Sequence, residues 1–91
     1  MDYEPEIIAY GRYMFDPNKV EEYSAAFKRV FKNYTDNIIL DSNPRGQANL
    51  AAGAAWAIDN GYLVWEKDIS GDQTVISSFV LTEKGSEYFN V

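Results

Sequence analysis

Neither cysteine nor histidine occurs among the 91 residues. Without cysteine the chain forms no disulfide, no thiolate zinc site and no cysteine nucleophile. Without histidine it lacks Ser-His-Asp chemistry, imidazole metal ligands and the usual proton carrier near neutral pH. Positive charge is scarce. Eight lysines and arginines stand against fourteen aspartates and glutamates, a formal charge of −6, and that balance favours solubility over binding to polyanions. Long hydrophobic runs are missing as well: the longest, residues 50–58, is about half of what a membrane span needs. The opening Met1-Asp2-Tyr3-Glu4-Pro5-Glu6 lacks the basic segment that begins a signal peptide. No Gly-rich phosphate loop of Walker or dinucleotide type occurs. The expectation is a cytoplasmic protein with no membrane partner, no metal and no cofactor.

What is present describes a small folded domain. Hydrophobic residues make up 46% and aromatics 15%, well away from the disordered class. A chain of this size loses roughly 64% of its extended surface on folding, enough for one core without staples. A single domain over residues 1–91 is expected. Neither half is a basic arm: residues 1–43 carry eight acids and five bases, residues 44–91 six and three. The one basic cluster is Lys28, Arg29 and Lys32, with Lys19 earlier. It reads as a solvated helix face, or more sharply as a small phosphate-contacting patch.

Element signals follow along the chain. Residues 6–15 fit either a strand apolar on both faces or a helix, and their tyrosine, isoleucine and phenylalanine tip the reading slightly to strand. Asp16-Pro17 is a helix start, an N-cap before proline at the first helical position. Val20, Tyr23, Phe27, Val30, Phe31 and Tyr34 then form one apolar stripe on a helix of about 16 residues. Residues 35–40 read as a short helix or a strand. Asn43-Pro44 repeats the start signal, and an alanine-rich helix is expected from there to Asn60-Gly61. Its small residues invite close crossing by neighbours. Residues 62–65 and 74–81 make a hairpin around a polar turn, residues 67–73. Thr82 caps a last helix over residues 83–89. Trp65 reads as core. Trp56 reads as core too, with an exposed binding anchor as the alternative.

The order helix, Ala57-Ile58-Asp59-Asn60-Gly61-Tyr62-Leu63, hairpin, then Leu81-Thr82-Glu83-Lys84-Gly85 resembles the winged helix-turn-helix family over residues 43–90. The resemblance implies an α+β fold: a small winged helix-turn-helix domain with a C-terminal β-hairpin wing and an N-terminal extension. Independently of the family, Gly61 allows a sharp turn, Thr82 a cap, and Gly85 close helix packing. Residues 7–33 are also similar to the first half of dimeric α/β-barrel monooxygenase-like proteins, but residues 43 onward do not continue that pattern.

If the winged helix holds, the helix after Asn43 lies in a major groove. Arg45, Gln47 and Asn49 then face bases, since arginine pairs with guanine and glutamine or asparagine with adenine. Lys67, Ser70 and Gln73 on the wing touch the backbone, beside Asp68 and Asp72, which repel phosphate. The bland alternative makes Arg45, Gln47 and Asn49 ordinary first-turn residues. The segment Asp68-Ile69-Ser70-Gly71-Asp72 lacks the glycine and glutamate of a calcium loop. No carboxylate pair is fixed around a pocket, so no enzyme is expected. The leading expectation is a homodimeric DNA-binding transcription regulator acting on double-stranded DNA. The alternative is a winged-helix protein–protein interaction module of phage or accessory type. An acidic DNA mimic ranks last.

Overall fold

The computed structural model describes residues 3–43 and 46–91. Pro5 precedes the first helix, α1 (Glu6–Met14), and accepts from the amides of Ile8 and Ala9. Residues 6–15 are therefore helical, which corrects the lean toward a strand. The reason is tertiary. Ile7, Ile8 and Gly11 form one buried helical face, and packing overrides the β preference of isoleucine and tyrosine.

At Asp16 the start signal works as read. The Asp16 carboxylate accepts from the Asn18 amide at 2.9 Å, and a 3₁₀ turn, Pro17–Lys19, leads into α2 (Val20–Asn33). Tyr23, Phe27 and Phe31 bury its apolar stripe. Glu21 and Glu22 sit in its first turn and Lys32 in its last, each sign at the end where the helix dipole favours it. The following segment resolves as a strand, β1 (Asn37–Asp41), with Ile38 and Leu40 inward and Ile39 outward.

The alanine-rich helix, α3 (Ala48–Asp59), begins later than the Asn43-Pro44 signal implied. Gly46 takes a φ of 78° and Gln47 stands outside the helix at its N-cap position, so the chain turns before helical geometry begins. Pro44 lies outside the described residues. At the other end Gly61, also with a φ of 78°, turns the chain into β2 (Leu63–Ser70) as expected of a left-handed stop. A four-residue connection, with the Gly71 amide donating to the Thr74 carbonyl at 2.8 Å, leads to β3 (Val75–Leu81). Residues 67–70 thus belong to β2 rather than to the turn. The Thr82 hydroxyl accepts from the Gly85 amide at 2.9 Å and starts α4 (Glu83–Phe89).

The described residues form an α+β fold: four α-helices and a three-stranded antiparallel sheet in the order β1-β3-β2. This arrangement is compatible with a small winged-helix-like domain. Two helices precede β1, and α3 alone lies between β1 and β2 among the described residues. Pairing of Ile38 with Phe79, and of Leu63 with Leu81, sets the inner face of the sheet. That face closes on Ile8, Phe27, Phe89 and the alanines of α3. Among the described residues no helix is long and apolar enough to cross a membrane.

Candidate functional site

Small residues make α3 the central helix. Ala51, Ala52, Gly53, Ala54, Ala55 and Ala57 are all buried, because α1 crosses on one side, α2 on another and the sheet beneath. At Gly11 the crossing leaves no room, since a β-carbon there would overlap the Ala51 carbonyl. The close approach foreseen from the alanines is present. Trp56 is half-buried, its ring set edge-on to Tyr62 at 5.6 Å, Tyr88 at 6.0 Å and Phe89 at 6.4 Å. It is neither a sealed core residue nor a bare anchor.

Of the six residues picked from the sequence, the five that are described do not share one surface. Arg45 lies outside the described residues. Gln47 donates from its amide to the Asp41 side chain at 3.3 Å and to the Asn43 carbonyl, so it holds the loop before α3. Asn49 is exposed on the first turn and lines a cleft of about 370 Å³ with Lys19, Glu22, Tyr23 and Leu50. Lys67 is exposed and pairs with Ser78, whose partner on the other side is Ile39. It therefore stands on the outer sheet face, away from α3. Ser70 pairs with Val75 at the end of β2, and Gln73 is exposed in the turn. Lys28, Arg29 and Lys32 are exposed on α2, and none makes an ion pair with a described residue.

Two features were missed from the sequence. One is the packing of the N-terminal segment on the hairpin. The Tyr3 ring lies 4.9 Å from that of Trp65, and its hydroxyl donates to Asp68, which also accepts from the Trp65 indole at 2.7 Å. Trp65 is consequently a partly exposed platform, not the core residue expected. Desolvation pushes the Asp68 carboxyl up, but hydrogen bonds from Tyr3, Trp65 and Ser77 outweigh it and hold the group below its ordinary value. The bond to Asp68 pushes the Tyr3 hydroxyl up, with desolvation and the neighbouring negative charge adding to it. Arg12 reinforces the strap by pairing with both Glu4 and Asp59. Hydrogen bonds to Asp59 and Glu4 hold the guanidinium above its ordinary value.

The other feature is the outer face of the sheet. Ile39, Val64 and Ile69 are 60%, 50% and 53% exposed, and Ile76 and Val80 between them are partly so. A partial signal was available: both strands of the hairpin carry apolar residues at consecutive positions, as in Leu63-Val64-Trp65 and Phe79-Val80-Leu81. Such runs make both faces of a sheet apolar without telling which of them is covered.

Among the described residues no three His, Cys, Asp or Glu side chains gather as ligands of a metal ion. No family model, no curated protein and no solved structure matches this chain.

Proposed function

We propose that this chain is a small winged-helix-like protein–protein interaction module. The observation that carries the reading is the enclosure of α3. From Ala51 to Ile58 it has no exposed residue: Trp56 and Ile58 are half-buried, and only Asn49, Leu50 and Asp59 of the helix are exposed. A groove-reading helix offers base-contacting side chains from a face that can enter a groove about 12 Å wide. Here Gln47 is spent on the preceding loop and Lys67 stands on the opposite side of the sheet. Binding to DNA also rests mainly on phosphate neutralisation, which a −6 chain supplies poorly. Exposed apolar area on the sheet, in contrast, is what a protein partner covers.

A DNA-binding regulator is the second reading. It is favoured by Lys28, Arg29 and Lys32, exposed and without an ion pair among the described residues, together with the helix, hairpin and closing-helix order. Titration of a labelled mixed-sequence duplex at low and moderate salt separates the two. The module reading expects no saturable change of anisotropy at either salt. Saturable binding that weakens with salt and with loss of Lys28, Arg29 and Lys32 supports the regulator instead.

A further inference from the structure

We propose that the outer face of the sheet docks a basic amphipathic helix of a partner protein; this rests on the reading of the chain as an interaction module. The pairing register arranges the face in three rows: Val64, Val80 and Asn37; Lys67, Ser78 and Ile39; Ile69, Ile76 and Asp41. Five of the nine side chains are aliphatic. The buried centre needs no partner, because the Ser78 hydroxyl donates to Glu66 at 2.8 Å. What remains for an incoming chain is an apolar platform with its central hydroxyl already satisfied.

Size and charge choose the occupant. Three strands about 4.8 Å apart and rows about 6.8 Å apart give a platform of roughly 15 by 20 Å. A helix is about 10–12 Å across and rises 1.5 Å per residue, so about four turns fit along it. A second copy of this chain would need about 800 Å² on each side for a stable dimer, well beyond the roughly 300 Å² of this platform. Charge argues the same way. Asp36 precedes β1, Asp41 ends it, Glu66 sits at the bulge of β2 and Asp72 in the turn, against Lys67 alone among the described residues. Two copies would oppose these carboxylates, whereas lysines or arginines flanking an apolar stripe would meet them. A contact of this area is weak and exchanges readily.

The test is a titration of the isotope-labelled full chain, followed by backbone NMR, with a synthetic helix of leucines and lysines at helical spacing. The same peptide with glutamate for lysine, and a scrambled version, are the controls. Shift changes are expected to gather on Ile39, Val64, Ile69, Ile76 and Val80, and to be several-fold weaker with the glutamate peptide. Ile69→Lys, at a solvent-facing position, removes them while leaving the remaining spectrum in place. Lys67→Glu tightens binding several-fold, because it removes the one cation that the described residues place on the face. Changes centred on α2 or on Tyr88, equal binding of the acidic peptide, or concentration-dependent broadening of the sheet without peptide would each overturn the assignment. Saturable duplex binding would instead remove the module reading itself, so the two failures are told apart.

Discussion

The backbone of Ala51 lies against Gly11 so closely that only a hydrogen fits between α1 and α3. That contact places α1 over the alanine-rich helix and takes one flank of α3 out of reach of any partner. Replacing Gly11 by alanine must push the two helix backbones away from each other rather than shift a side chain. Overpacking of this kind costs about 3 kcal/mol. A urea titration of Gly11→Ala is expected to lower the midpoint by the corresponding amount, with the slope unchanged.

The cap of α4 is a smaller and separable contribution. Thr82 accepts from the Gly85 amide and donates to the Gly61 carbonyl, so one side chain ties the end of α3 to the start of α4. Thr82→Ala is expected to cost about 1 kcal/mol, the usual value of an N-cap, measured by the same unfolding experiment. Thr82→Ser should restore most of it.

Docking of the strap carries its own pH window. Asp68 is lowered in the folded chain, so its contribution is present above the unfolded carboxylate value of about 3.9 and is lost as pH falls below it. Tyr3 is raised, so its neutral, donating form is favoured up to the unfolded value of about 10 and the contribution is lost above it. The Trp65 indole N–H resonance, which reports its bond to Asp68, should hold steady between these limits and move outside both. Tyr3→Phe should abolish the alkaline change and leave the acid one. A resonance that moves near neutrality would contradict the assignment.

The basic residues of α2 are expected to act on their own helix. Lys32 lies in its last turn, where positive charge is favoured by about 0.3–1 kcal/mol at low salt. Lys32→Glu should therefore lower stability by a few tenths to about 1 kcal/mol, with the loss shrinking as salt is added. Thermal unfolding at two salt concentrations measures it.

Caps and stops were legible because each is a local event. Asp16, Gly61 and Thr82 do at the chain turns what their side chains or backbones favour in isolation. The hairpin and the stripe of α2 were legible through periodicity. The first helix was not, because residues 6–15 satisfy two periods and only the position of Gly11 against α3 decides between them. The start of α3 was missed for a related reason: a proline signal is local, while the turn at Gly46 serves the approach of the chain from β1. The candidate surface was hidden by its composition. Val64, Ile69 and Ile76 look like core residues in sequence, and their exposure depends on the helices all lying on the other side of the sheet. Tyr3 and Trp65 are 62 positions apart, and nothing local announces their contact.

The proposed interaction module meets protein rather than DNA. The most direct measurement is the anisotropy of a labelled mixed-sequence duplex titrated with the wild-type chain at low salt, where phosphate attraction is strongest. A flat titration is expected. A saturable rise that collapses on adding salt, and that Lys28, Arg29 and Lys32 are needed to produce, would contradict it and return the chain to the DNA-binding regulators.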